Sequence, residues 1–368
     1  MKMKKKYDIY GLGAALVDTE ITLDDSDLKH MQVEKGVMTL VDEPRQKELI
    51  AALEHHLVAS KRASGGSAAN TIIAASYFGC QNFYSCKVAA DENGSFYLND
   101  MKAAGVTTPS HITPPPGTTG KCLVMITPDA ERTMNTYLGI SEHLSVEEID
   151  FSAVPESQYV YIEGYLVTSV TGRAAAIKLR EHAQQHGTQV ALSLSDPAMV
   201  QFFRDGLLEM IGNQVDLIFC NRDEALGFIQ TDDFELACRG LQQYAKRFAI
   251  TCGADGAYVF DGEQLLQVAA PKVEPIDTNG AGDMFAGAFL FALTQGEAFA
   301  RAAAFANQAA AKVVTQFGPR LKAEQHPALK SSFFGAWIDT WVFAWVCTWV
   351  CAPRLVASGA FFLIALTY

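Results

Sequence analysis

The sequence predicts an α/β protein: a doubly wound, mostly parallel sheet with helices on both faces, a second small sheet, and an atypical apolar C-terminal tail. Three observations carry this expectation. Short β-rich runs alternate with longer helical ones, which implies parallel strands joined by crossover helices. Two segments, about 19–40 and 118–138, interrupt the alternation with strand-like stretches of their own. From 331 to 368 the composition changes abruptly, with Asp339 and Arg354 the only charged residues and the four tryptophans at 337, 341, 345 and 349.

The first strand is expected at 7–11. Gly11-x-Gly13 follows it, but Leu16 stands where a dinucleotide fingerprint needs its third glycine, so that reading is discarded. Ser64-Gly65-Gly66-Ser67-Ala68-Ala69-Asn70-Thr71 precedes the apolar run 72–78 and reads as a glycine-rich turn opening a buried helix, with Ser67 and Asn70 offering short polar groups to substrate hydroxyls. The stiff loop Pro114-Pro115-Pro116-Gly117 introduces the second interruption. Further strands are expected at 159–162, 189–194, 217–219, 248–251 and 257–260, and helices at 171–186, 235–246 and 283–293. Ligands of such a sheet gather at the carboxyl ends of the strands, where Asp18 at the end of the first strand, Asn221, Gly253 and the Gly280 turn are expected to lie.

The stretch Asp277-Thr278-Asn279-Gly280-Ala281-Gly282-Asp283 carries the chemistry. A Gly-Ala-Gly turn opening a helix presents unpaired N–H groups at the positive end of the helix dipole and so stabilises an anion. A carboxylate placed beside that cradle would repel a phosphate, but it suits the base that takes a proton from an attacking hydroxyl. The competing reading is an ordinary tight turn in which Asp283 caps the helix. Thr251-Cys252-Gly253-Ala254-Asp255-Gly256, glycines after a strand, allows close backbone approach to nucleotide phosphates, with Thr251, Gly253 and Gly256 as candidates. Asn307, in the small-residue helix Ala306-Asn307-Gln308-Ala309-Ala310-Ala311, is a candidate for the nucleotide's base, although small residues at this spacing also serve plain packing.

Composition agrees with a small-molecule enzyme. The chain of 368 residues is 49% hydrophobic, enough for a large core, and its net charge of −12 argues against nucleic acid or an acidic membrane as partner. No apolar segment follows the Lys2, Lys4, Lys5, Lys6 cluster, so a cytoplasmic location is expected. The eight cysteines show no C-x-x-C pair, which predicts buried free thiols and no zinc.

The two glycine-rich motifs together resemble the ribokinase-like (PfkB) carbohydrate kinase family over most of residues 7–320, and their details look most like its adenosine kinase branch. Tyr161-Ile162-Glu163-Gly164-Tyr165, Leu192-Ser193-Leu194-Ser195-Asp196-Pro197 and Cys220-Asn221-Arg222-Asp223-Glu224-Ala225 follow in the family's order. The resemblance implies one kinase domain over 1–330, with the segments 19–40 and 118–138 forming a β-sheet lid. It implies Asp283 as catalytic base; Gly280, Ala281 and Gly282 as anion hole; and Arg132, on the lid, as a closing guanidinium. From residue chemistry alone, Arg132 is equally a surface residue paired with Glu131 or Asp129. Asp18 would accept two hydrogen bonds from vicinal ribose hydroxyls, with Gly66, Ser67 and Asn70 completing the clamp. By resemblance Leu16, Met38, Met134, Thr136 and Leu138 line the base pocket. Asn221, Glu224 and Asn279 serve the ATP side, Glu224 holding Mg²⁺ through water. ATP is the co-substrate, and carbonyls near Asp277 and Gly318 are where a monovalent cation such as K⁺ would sit. Ala14 stands where such enzymes often have Asn, and Ala198 and Met199 where an aromatic is expected, so inosine, guanosine, ribose and fructose stay open beside adenosine. A monomer or homodimer is expected.

Tryptophans at every fourth position make one drifting stripe on a helix. Three readings of the tail stand: a membrane-associated hairpin broken at Pro353, which alone would bring membrane contact; a partner-docking helix; or an accidental extension after a finished domain, the one favoured here.

Overall fold

A computed structural model of the chain describes residues 5–57, 61–129 and 131–335. The tryptophan stripe and everything beyond 335 lie outside the described residues. Two units separate, Met1–His326 and Pro327–Tyr368, the division falling within the helix Gln325–Phe334.

In chain order the strands are Tyr7–Leu12 (β1), Leu16–Thr22 (β2), Met38–Leu40 (β3), Lys61–Gly65 (β4), Asn82–Ser85 (β5), Thr119–Ile126 (β6), Arg132–Gly139 (β7), Ser157–Glu163 (β8), Gln189–Ser193 (β9), Val215–Asn221 (β10), Ala245–Thr251 (β11), Ala257–Phe260 (β12) and Leu265–Val268 (β13). The larger sheet runs β13-β12-β11-β10-β9-β8-β1-β5. Every neighbouring pair from β5 to β11 is parallel, and β12 and β13 finish the edge antiparallel. Its inner strands bury residues on both faces, as in Val160-Tyr161-Ile162 and Leu217-Ile218-Phe219, which is why they read as continuous apolar runs. Each expected strand of this sheet is present within three residues of its predicted ends, the largest difference being β11, which begins at Ala245 rather than 248.

One helix differs. The expected helix 235–246 ends at Leu241, because Tyr244 and Ala245 already belong to the sheet: the Tyr244 carbonyl accepts the Val215 N–H at 3.0 Å, and β11 begins at Ala245.

Two helices carry the site. Ser67–Phe78 starts after Gly66, whose φ of +96° and 2.6 Å approach of a would-be Cβ to the Ala14 carbonyl exclude a side chain. Ala281–Thr294 is apolar nearly all round because it is enclosed between Ser67–Phe78 and Phe299–Val313. The first two meet most closely at Gly287, where a Cβ would stand 2.5 Å from the Thr71 carbonyl oxygen. That approach brings Ser67 and Asn70 opposite Asp283.

The smaller sheet runs β3-β7-β6-β2-β4. Its outer face packs on a core of its own, with Ile21, Leu28, Met31, Leu49, Leu123 and Met125 buried together. Both predicted interruptions contribute to it, and β4 is a member that the sequence pattern does not announce. Asp18 is also relocated. It lies within β2 of the smaller sheet, paired with Ala63 and Cys122, rather than at the end of β1. The chain leaves the larger sheet at Gly13, where a Cβ would stand 2.6 Å from the Glu163 carboxylate.

Candidate active site

Facing surfaces of the two sheets enclose a cavity of about 460 Å³. Its wall from the smaller sheet includes Leu16, Asp18, Met38, Met134, Thr136 and Leu138; its floor includes Gly66, Ser67, Asn70, Asn221, Glu224, Thr251 and the run Asn279 to Asp283; Arg132 reaches in from β7. Gly253, Gly256 and Asn307 do not line it. Gly253 has a φ of +55° with open space around it, consistent with an approachable backbone. Gly256 sits against the Val268 carbonyl, 2.1 Å from a would-be Cβ. Asn307 is buried and donates its amide to the Val268 and Ala269 carbonyls at 2.8 and 3.3 Å, so this side chain fastens the end of β13 instead of facing a ligand.

The two helix N-termini at the floor are finished differently. Neither has a side-chain cap of its own. At Ser67–Phe78 the Ala68 N–H donates to Glu163 Oε2 at 2.8 Å, while the Ala14 N–H donates to Oε1 at 2.6 Å. Burial pushes the Glu163 carboxyl up to about 7 against the opposing effect of those two bonds. At Ala281–Thr294 no carboxylate fills that place. Gly280 takes φ +69° with its Cα pressed against Pro319, and Gly282 has nothing within 4 Å of a would-be Cβ. An uncapped helix start with open backbone suits an anion.

Asp283 stands on that first turn. The Ser67 hydroxyl donates to its Oδ1 at 2.6 Å and the Asn70 amide to its Oδ2 at 3.0 Å. Burial raises this carboxyl to about 6, and the two hydrogen bonds limit the rise. Ser67 and Asn70, expected to hold substrate hydroxyls, thus hold the candidate base, which the capping reading of Asp283 did not anticipate. The Asn70 Oδ1 is buried without a partner among the described residues.

Arg132 crosses the cleft. Its Nη1 donates to Asn279 Oδ1 at 2.6 Å and its Nε lies 3.8 Å from Asp277 Oδ1, so the surface pairing with Glu131 or Asp129 is not the one observed. Asp129 is taken by Lys35 and by Thr127. Asp277 itself is fully buried, its two oxygens accepting the N–H groups of Asn279 and Gly318 at 2.8 Å each. Any cation near it would meet carboxyl oxygens already bonded to backbone.

Asp18 is buried with no hydrogen-bond partner among the described residues, and burial pushes its carboxyl up to about 7. Its carboxylate occupies the space above Gly65, 2.0 Å from a would-be Cβ, so only glycine fits there. Asn221 and Glu224 form a reciprocal capping box: the Glu224 N–H donates to Asn221 Oδ1 at 2.8 Å, and the Asn221 N–H to Glu224 Oε2 at 3.0 Å. Burial raises Glu224 to about 8. No cluster of three or more metal-ligating acids, histidines or cysteines occurs among the described residues. A single cavity-lining carboxylate of this kind suits a hard cation that keeps most of its waters, as Mg²⁺ does. Of the described cysteines, Cys252 is half-buried and the other five are buried, all as free thiols.

A doubly wound sheet with a covering second sheet, a buried carboxylate at an open helix N-terminus and a second carboxylate across the cleft suit a phosphotransferase with an alcohol group as acceptor, the class that the comparisons with known proteins show. The pattern of the pfkB family carbohydrate kinase matches residues 45–326, and the chain belongs to that family. It is 34% identical to the adenosine kinase of Sinorhizobium meliloti, whose crystal structure superposes with a TM-score of 0.82 over 89% of this chain and 99% of that one. A probable sugar kinase from Rhizobium etli gives 33% identity, the same TM-score and the same coverage. The adenosine kinase of Saccharomyces cerevisiae is 27% identical over 85% of this chain and 96% of its own length. Membership implies a nucleoside or sugar kinase with ATP as co-substrate and, in general, a divalent metal. No helix among the described residues is long and apolar enough to cross a membrane.

Proposed function

We propose that this protein is an adenosine kinase, transferring the γ-phosphoryl group of ATP to the ribose 5′-hydroxyl of adenosine to give AMP and ADP. The observation that carries the reading is the two-ended cavity. Asp18 and Asn70 form a polar end beside Asp283, and Leu16, Met38, Met134 and Leu138 form an apolar slot on the same wall. A ribose with a flat base attached fits that division; a free sugar leaves the slot empty.

In this mechanism Asp18 accepts hydrogen bonds from the ribose hydroxyls and so aims the 5′-hydroxyl at Asp283. Asp283, ionised and held by Ser67 and Asn70, takes the hydroxyl proton as the oxygen bonds to the γ-phosphorus; the bond to the β-phosphate oxygen breaks and ADP leaves. The Gly282 N–H, at the open start of the helix, and the Arg132 guanidinium offset the charge on the transferring group. Glu224 and Asn221 would hold Mg²⁺ through water, which supplies charge neutralisation on the nucleotide phosphates.

A sugar kinase is the second reading, favoured by the equal similarity to the Rhizobium etli protein. Turnover on adenosine, inosine, guanosine, ribose and fructose with labelled ATP separates the two. Adenosine with the highest kcat/KM is expected, and a preference for ribose or fructose refutes the nucleoside assignment.

A further inference from the structure

Behind the acceptor carboxylate, β4 is tied to two distant segments by one small ionic cluster. Asp100, on the helix Glu92–Ala103, accepts the Ser64 N–H at 3.1 Å and, through a short bond, the Ser64 hydroxyl. Arg320 donates to the same Asp100 oxygen at 3.3 Å and to the Ser64 hydroxyl oxygen at 3.4 Å. Ser64 is fully buried and the Arg320 and Asp100 side chains are 14% and 31% exposed, so solvent screens the cluster only in part. Next along β4 comes Gly65, the residue on which the Asp18 carboxylate rests. Of the charges that favour an ionised Asp18, that of Arg320 acts most strongly.

The two residues before Arg320 face the other half of the reaction. The Gly318 N–H donates to Asp277 at 2.8 Å, and Glu20 of β2 lies 2.9 Å from a would-be Cβ on Gly318. The Pro319 backbone is pressed against Gly280, its carbonyl oxygen 2.1 Å from a would-be Cβ there. The short run Gly318-Pro319-Arg320 therefore touches the acceptor strands on one side and the Gly280 turn on the other.

We propose that Arg320, fixed by Asp100 and Ser64, is a positioning residue that holds the acceptor strands β2 and β4 in register with the Gly280 turn, so that the acceptor hydroxyl meets the phosphoryl group in line. The proposal rests on the phosphoryl-transfer reading above. Removing the guanidinium frees the Gly318–Arg320 run from β4 without deleting any group that touches substrate. A clamp that merely stabilised the fold would act on both substrates alike or on neither.

The test uses the full chain carrying Arg320→Ala, Asp100→Ala, both together, or Arg320→Lys. With whichever acceptor the unaltered protein phosphorylates, Arg320→Ala lowers kcat/KM for the acceptor by about tenfold and leaves KM for ATP within about twofold. Arg320→Lys, which keeps the charge but not the fork, recovers part of the loss. The double variant is no worse than the poorer single one, since the residues act as a unit. Hydrogen exchange gives a readout independent of the acceptor: in Arg320→Ala the bonded amides of Ser64, Ala281 and Met284, which donate to Asp100, Thr278 and Gly280, all exchange faster. A KM for ATP raised about tenfold, additive single effects, or faster exchange at Ser64 with Ala281 and Met284 unchanged overturns the proposal. Should no acceptor be turned over by the unaltered protein, the kinase reading fails, and exchange at Ala281 and Met284 alone decides the coupling.

Discussion

Replacing Asp283 with asparagine should remove catalysis and raise stability together. Geometrically the change is tolerated: the new amide oxygen faces the Asn70 amide donor, and its NH₂ faces the Ser67 hydroxyl, which accepts as readily as it donates. No buried group is left unpaired. The ionised carboxylate, by contrast, is a burden on the fold. Its pKa moves from 3.8 to about 6 on folding, which corresponds to roughly 3 kcal/mol when the group is charged, and less where cavity water screens it. Because the folded value lies above the unfolded one, that cost is absent below about pH 4 and complete above about pH 6. At neutral pH the variant should therefore melt a few degrees higher. Turnover should fall by ~10²–10⁴, the usual worth of a general base, with ATP affinity nearly unchanged. Differential scanning fluorimetry at pH 5 and 8, beside a steady-state kinase assay, measures both halves. Activity within a few-fold of the unaltered protein refutes the base; a melting point that drops by several degrees shows that the carboxylate serves the helix start instead.

Three further outcomes are expected. The pH dependence of kcat/KM should show an acid limb near pH 6 to 7, since Asp283 and Asp18 are raised to about 6 and about 7 and both act ionised; a profile flat down to pH 5 contradicts this. Asp18→Ala should weaken acceptor binding by several kcal/mol, by loss of two charge-assisted hydrogen bonds, while calorimetry finds ATP binding intact. A chain ending at Gly335 should keep full activity and the melting point of the whole protein, and its emission should be that of tyrosine because all four tryptophans are gone; loss of stability would show that the removed residues pack on the kinase domain.

The parallel strands were legible because burial on both faces leaves an unbroken apolar run, as at 159–162 and 217–219. β4 was not, since Lys61-Arg62-Ala63-Ser64-Gly65 has neither alternation nor apolar content and is a strand only through its pairing with β2. Asp18 is recognisable as facing the ligand but not as a residue of the smaller sheet, because nothing local in Gly13-Ala14-Ala15 announces that the chain is changing sheets. Sequence spacing shows that Ser67 and Asn70 share a helix face, and only the close crossing at Gly287 shows that this face meets Asp283. Glu163 stands within a motif visible in the sequence, and a lone acid ending an apolar strand is the signal that it closes a helix start elsewhere. The small-residue spacing around Asn307 does not announce that its Nδ2 donates to the Val268 and Ala269 carbonyls at the end of β13.

The smaller sheet divides its residues by parity. Along β6 and β7, Cys122, Val124, Met134, Thr136 and Leu138 border the cavity, while Leu123 and Met125 between them enter a separate core with Ile21 and Leu49. Neighbouring codons thus answer to different demands, one to what the cavity admits and the next to whether the sheet holds together. A lineage carrying this arrangement can exchange a cavity-side methionine for a smaller or more polar residue and sample new acceptors with its scaffold intact. Adenosine and sugar kinases differing by little in backbone are what such divided inheritance would leave behind.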